Sequence, residues 1–338
     1  MIRRVFFFAL VVCTTLAHAG DESRKGTTGA DQLLVPVGAR SIATGGAFLA
    51  TLKGVEAIYY NPAGLAATQK SEAMFSYMSY VADINISYFA VSAYIEELGT
   101  FGLSYKKLDF GDIPVTTFQS PDGTGATYSP GFYTFGLTFA RAVTDRVTAG
   151  VTAKVINETI LSTSATGFAV DFGVQYKFQG NLAIGVAIKN LGTNMQYSGN
   201  DLFARTNIPN TANASPAGVY TPETEPFQMP SWFELSASYN IDVGNMNSFI
   251  LGATFRNNNA LDDQMMFGLE YQLLRTFSLR GGYETALKNA SSAIYGINFG
   301  AGVEYTVDNS LQVSFDYAFR SVKEFPTDNH VFTVKLGF

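Results

Sequence analysis

The stretch Phe168-Ala169-Val170-Asp171-Phe172-Gly173-Val174-Gln175-Tyr176-Lys177-Phe178 alternates large apolar residues with small or polar ones without a break. Successive side chains leave a β-strand on opposite faces, so this stretch has one apolar face and one polar face. Leu311 to Arg320 repeats the pattern, with Leu311, Val313, Phe315, Tyr317 and Phe319 set against Gln312, Ser314, Asp316, Ala318 and Arg320.

Outward from these two stretches the same period recurs at 72–80, 84–95, 99–109, 131–141, 146–157, 165–178, 181–190, 231–241, 247–256, 264–272, 275–285, 294–305, 309–320 and 329–338. Fourteen short alternating segments, an even number, suit an all-β transmembrane antiparallel barrel of about 14 strands. A soluble β-sandwich also alternates, but the connections favour a barrel. Short turns at 96–98, 142–145, 179–180, 242–246, 273–274 and 306–308 alternate with longer loops at 110–130, 158–164, 191–230, 257–263, 286–293 and 321–328. With both ends of the chain in the periplasm, the short turns face the periplasm and the longer loops face outward, the asymmetry of outer-membrane barrels. The tight first hairpin near Val81-Ala82-Asp83 is an exception. Tyrosines at or near strand ends, such as Tyr94, Tyr133, Tyr239 and Tyr305, suit the two aromatic belts of a lipid-facing wall. The chain also closes on an alternating strand whose last residue is Phe338. That ending resembles the signal read by the outer-membrane assembly machinery.

Composition agrees. Of 338 residues only 15% are charged while 47% are hydrophobic, and 32 are glycine. Charge stands below the roughly 25% of soluble domains, and no second apolar run reaches the roughly 18 residues of a membrane helix. A net charge of -6 without a basic cluster offers nothing to nucleic acid. Arg3 and Arg4, the apolar run Val5 to Cys13 and Ala17-His18-Ala19 form a secretory signal over residues 1–19. Its removal takes the single cysteine and leaves His330 as the one histidine. No nucleophile and base come together, so an outer-membrane lipase or acyltransferase is disfavoured, and no catalytic residue, metal ligand or cofactor is expected.

The polar face of the strands describes the interior. Lys106, Lys154, Asp171, Lys177, Lys189, Glu234, Arg256, Glu270, Arg280, Glu284, Glu304, Asp316, Arg320 and Lys335 point inward, and their mixed signs suit ion-pair networks better than an ion-selective ring. Glycine recurs on the same face at Gly102, Gly136, Gly150, Gly173, Gly185, Gly252, Gly268, Gly282, Gly300 and Gly302. Glycine within a strand marks either close approach by another backbone or a bend of the wall. The first reading implies that something fills the lumen. Residues 20–70, ahead of a barrel at 71–338, are the candidate plug. Val37 to Ala50 places small residues at 39, 43, 46, 47 and 50 on one helical face. In Asn61-Pro62-Ala63-Gly64, Asn and Pro initiate a turn and Gly64 permits a positive φ.

The stretches Gly38-Ala39-Arg40, Gly45-Gly46-Ala47-Phe48 and Tyr60-Asn61-Pro62-Ala63-Gly64-Leu65-Ala66 resemble the N-terminal signature of the PorV/PorQ family, within the FadL-like group of outer-membrane barrels. Ser164 to Gly173 and Lys189-Asn190-Leu191-Gly192 are similar to stretches of the same family. The resemblance implies fourteen strands around an N-terminal hatch. For PorV it implies type IX secretion, with the barrel binding cargo proteins that leave a translocon and shuttling them at the cell surface. For FadL it implies passage of a hydrophobic ligand, such as a long-chain fatty acid, through a lumen pocket and a lateral opening. Loop 191–230 bears on the choice: it is proline-rich, and Phe203, Tyr220, Phe227 and Met229 could either dock a partner or cap the barrel. An inward face of Gly, Ser, Thr and charge favours the secretion reading, unless hatch or loops line the lumen with apolar groups.

Overall fold

The computed structural model describes residues 26–206, 218–244, 246–288, 293–307 and 311–338. The expected signal segment 1–19 lies outside the described residues. Fourteen long antiparallel strands form the wall: β1 (Glu72–Ser79), β2 (Asn85–Ile95), β3 (Gly99–Asp109), β4 (Gly131–Thr144), β5 (Val147–Ile160), β6 (Thr163–Lys177), β7 (Leu182–Gly192), β8 (Trp232–Val243), β9 (Asn247–Asn258), β10 (Gln264–Leu273), β11 (Phe277–Ala286), β12 (Tyr295–Val307), β13 (Leu311–Val322) and β14 (Asn329–Gly337). Each pairs with the next, and β14 pairs with β1 in the register Glu72 opposite Gly337 to Ser79 opposite His330, which closes the barrel. Closure leaves no sheet edge unpaired, the condition a strand wall must meet in hydrocarbon.

Period two sorts the side chains. Phe75, Phe89, Phe135, Phe168, Phe267, Phe299 and Phe332 stand on the outer face, exposed to the bilayer side. Thr138, Thr152, Asp171, Glu234, Ser236, Thr254 and Glu270 alternate with the outer residues and are buried within. The strand ends differ from expectation at one loop. β5 and β6 run on to Ile160 and from Thr163, so the connection expected as a longer loop at 158–164 is a two-residue turn with Leu161 at φ 54°. The outside rim therefore carries two tight hairpins, this one and Val81–Asp83.

Residues 26–70, here called the hatch segment, pack on the inward face. They hold a 3-10 turn at Asp31–Leu33, helix α1 (Ala39–Ala43), helix α2 (Ala57–Tyr60) and a second 3-10 helix at Pro62–Ala67. The extended helical face expected over Val37 to Ala50 does not form. Gly45 and Gly46 take φ of 63° and 74°, left-handed conformations that end α1 after little more than one turn. The small residues nonetheless meet the wall one by one along the irregular chain. Apolar contacts seal the two together: Val35, Ala39, Ile42 and Ala43 with Met78, Ile86, Leu108 and Val331, and Val37, Val55, Ile58 and Leu65 with Met74, Tyr88 and Ala140. The inward face is thus less uniformly polar than expected, because Met74, Met78, Ile86, Leu108, Ile156 and Met266 are inward and buried.

Candidate functional site

The hatch and the wall meet first at glycines. A Cβ on Gly150 would lie 2.5 Å from the Pro62 carbonyl, on Gly173 2.0 Å from Asn61 Oδ1, on Gly185 2.7 Å from Ala50 Cα, on Gly268 2.7 Å from the Thr44 carbonyl oxygen, and on Gly300 2.7 Å from Ala43 Cβ. No side chain fits those gaps. Gly102, Gly252 and Gly282 face Ile58, Phe48 and Gly45 in the same way. Gly136 departs from this pattern. It is inward, but its neighbour is the Ser104 hydroxyl of the adjacent strand, so there it is the wall, and not the hatch, that closes over the missing side chain.

Polar anchors fix the hatch as well. Arg40, on α1, donates to Glu270 of β10 from Nε at 2.9 Å and from Nη2 at 2.8 Å, and that carboxylate holds the guanidinium well above its ordinary pKa. Glu270 in turn takes Arg280 at 2.6 Å, and Arg280 reaches Asp316 at 2.5 Å. Within the hatch, Glu56 accepts from the Ser41 amide at 3.0 Å and hydroxyl at 2.6 Å, and it lies so close to Gly38, at φ 82°, that a Cβ there would sit 2.4 Å from its oxygen. Near the exit of the hatch, Glu72 accepts from the Val55 amide at 2.6 Å.

Asn61 is a further anchor and does more than begin a turn. Its Oδ1 accepts from the Ala63 amide at 3.1 Å, capping the 3-10 helix, while Pro62 occupies the first helical position. Its Nδ2 donates toward the carbonyls of Leu49, Val174 and Val186 at 3.2 to 3.4 Å, linking two hatch segments to β6 and β7. Gly64 is not in the positive-φ region expected of it. It is needed for space, since a Cβ would lie 2.2 Å from the Leu52 carbonyl oxygen.

Between the hatch and strands β2 to β8 lies a small cavity with room of about 30 Å³ for water-sized occupants. Tyr59, Ile58 and Leu33 form its hatch side, and Tyr88, Ser104, Lys106, Thr134, Lys154, Asp171, Lys189 and Trp232 are among its wall residues. Asp171 accepts from Lys154 at 2.7 Å and Lys189 at 2.9 Å, and Lys189 also reaches the Tyr59 carbonyl. Burial pushes the Tyr59 phenol well above its ordinary pKa. The inward charges were legible by parity, whereas Tyr59 and Trp232 carried no signal of their place here.

The outside of the barrel is capped. Thr28 bridges to Gln228, and Met195 and Phe227 exchange backbone hydrogen bonds at 2.8 and 2.9 Å. Phe227 lies over Gly29, and Met229 is buried against Ala30, Leu33, Ile156 and Met195. Of the four loop residues with docking potential, Phe227 and Met229 therefore turn inward and serve the cap, because the hatch offers them an apolar floor. Phe203 and Tyr220 remain exposed at a short antiparallel pair, Ala204–Thr206 with Gly218–Tyr220, while Ile208, Pro209 and Pro216 lie outside the described residues. At the opposite rim a water-accessible vestibule of about 970 Å³ opens below the hatch, lined by both signs of charge, including Arg40, Lys53, Lys177, Glu304 and Lys335.

On the lipid side an apolar groove of about 600 Å³ crosses β2 to β6, lined by Phe89, Val91, Leu103, Tyr105, Phe135, Leu137, Ala153, Val155, Phe168 and Val170. Its floor includes Ser104 and Lys154, which also line the inner cavity, so one layer of backbone separates the two. The β3–β4 ladder is continuous there, from Thr100 opposite Ala140 to Asp109 opposite Gly131, so the wall is closed.

The closed strand wall is an architecture that solved structures share. The chain has the fold of the FadL-like barrels. It superposes on the Pseudomonas putida toluene transporter TodX with a TM-score of 0.57 at 12% identity, covering 89% of this chain and 96% of that one. The Ralstonia pickettii toluene transporter TbuX gives 0.54 at 14%, covering 89% and 97%, and a Pseudomonas aeruginosa FadL homologue gives 0.53 at 11%, covering 90% and 98%. No family model and no curated protein sequence matches the chain. A bacterial outer-membrane barrel is the state this wall is built for.

Proposed function

We propose that this protein is a non-enzymatic outer-membrane conduit for small hydrophobic molecules, with the hatch segment as its plug. The observation that carries the reading is the pairing of an apolar groove outside the wall with a cavity inside it, across Ser104 and Lys154. A hydrophobic solute gains by leaving water for such a groove and for the bilayer around it. Movement of the hatch or of β3 and β4 would join the two spaces. The fold shared with TodX and TbuX, both described as toluene transporters, supports the same reading.

The secretion shuttle is the second reading. Exposed Phe203 and Tyr220 leave it a contact surface, but Phe227 and Met229 are committed to the cap, and TodX and TbuX, which share the fold, are described as toluene transporters. The test is uptake of a radiolabelled aromatic hydrocarbon and of a labelled long-chain fatty acid by cells carrying the wild-type barrel or Ala153→Trp, which fills the groove with an apolar ring. Uptake by the wild type, lost in the variant at equal barrel levels, supports the conduit. Equal uptake with and without the barrel, together with recovery of a translocon or secreted proteins in a pull-down of the native envelope, supports the shuttle.

A further inference from the structure

Inward charges are matched over most of the described lumen. Arg40 and Arg280 share Glu270, with Asp316 beside Arg280; Arg320 faces Glu284 at 3.0 Å, and Arg256 faces Glu234 at 2.7 Å. The small cavity beside Tyr59 breaks the rule. Three lysines, Lys106, Lys154 and Lys189, line it with one carboxylate, Asp171, already bound by two of them. Lys106 is 3% exposed and makes a single hydrogen bond among the described residues, 2.8 Å to the Val35 carbonyl, with its nitrogen 4.9 Å from the centroid of the Tyr59 ring. A lysine amine carries at least two N–H groups, so at least one is left without an acceptor.

A second observation is independent of charge. The Trp232 indole N–H and the Thr134 hydroxyl line the same cavity, each more than nine-tenths buried and without a hydrogen-bond partner. An indole N–H can only donate, and leaving a buried donor unpaired is costly. Unused donors beside surplus positive charge ask for an acceptor that is itself negative. Water would satisfy the donors and leave the charge, whereas an anion answers both.

We propose that this cavity binds one small monovalent anion, a halide or the carboxylate of a short acid, held by Lys106, Trp232 and Thr134. The space of about 30 Å³ suits an occupant of that size. Lys106 already reaches the hatch at Val35, and Lys189 reaches it at Tyr59, so the site lies on the seam between hatch and wall. The cavity is also the inner space of the proposed conduit, but anion binding is read by fluorescence and crystallography and not by uptake, so its test stands apart from that of the conduit.

Trp232 is the one tryptophan of the chain, so its fluorescence reports on the site directly. The purified full-length barrel in detergent is titrated with sodium bromide at constant ionic strength held by gluconate. Saturable quenching of Trp232 is expected, with affinity weakened severalfold in Thr134→Val and lost in Lys106→Met. Acetate that displaces bromide assigns carboxylate chemistry, and acetate that does not assigns halide chemistry. Because Lys106→Met could fail to assemble, crystals of the wild type grown with bromide give the direct check, an anomalous peak in contact with Lys106 and Trp232. Quenching that is linear and equal in wild type and Thr134→Val, or a cavity holding water alone in bromide crystals, overturns the proposal.

Discussion

Arg40 in the hatch and Glu270 on β10, 230 positions apart in sequence, form a two-point ion pair in which Glu270 Oε2 also accepts from Arg280. The hatch is therefore tied to a carboxylate that the wall would hold even without it. In Arg40→Gln, Glu270 keeps Arg280 and the barrel assembles normally. The hatch loses charge-assisted hydrogen bonds worth about 2 kcal/mol. Faster proteolytic cleavage within residues 26–70, with an unchanged heat-modifiability shift on gels, is the expected result.

Asn61 donates to carbonyls of both hatch and wall and accepts from Ala63. Asn61→Asp keeps the cap but replaces a donor by an anion facing carbonyl oxygens, so it should loosen the hatch more than Asn61→Ala. The alanine variant should cost about 1–3 kcal/mol for the bonds lost. Hydrogen exchange over 57–67 would rank the two variants.

Gly150 and Gly136 are both inward strand glycines, yet they should respond differently to alanine. At Gly150 the new methyl meets the Pro62 backbone at 2.5 Å and must displace the hatch. At Gly136 it meets the Ser104 hydroxyl, which can rotate away. Single-channel recordings in planar bilayers should show raised conductance for Gly150→Ala and wild-type conductance for Gly136→Ala.

Phe338 has an exposed ring, and its amide bonds to the Ser71 carbonyl at 2.8 Å, next to the start of β1. Little folded-state packing depends on the ring. Deleting Phe338 should lower the yield of assembled barrel in cells severalfold, while protein refolded in detergent keeps nearly wild-type thermal stability. Equal yields in cells would remove its role as an assembly signal.

Strand number, order and facing were open to the sequence because they rest on a local rule. Alternation over ten residues suffices to place Phe168 outward and Asp171 inward, whatever lies elsewhere in the chain. The expected segments meet the observed strands to within about three residues, as element boundaries generally allow. The hatch shows where that reach ends. Small residues at 39, 43, 47 and 50 do meet the wall, but not on one helix, because Gly45 and Gly46 turn the chain. Asn61 read as a local turn residue, and its bonds to Val174 and Val186 join positions more than 110 residues away. The same holds for the cap made by Phe227 and Met229, for the bare wall at Gly136, and for three lysines left with one carboxylate. Each depends on which segments closure of the barrel brings within a few ångströms, and a period of two carries no information about distance across the lumen. The sequence by itself determined a membrane wall with a polar, glycine-rich interior; the tertiary structure alone decided what fills that interior and where its charge is left unbalanced.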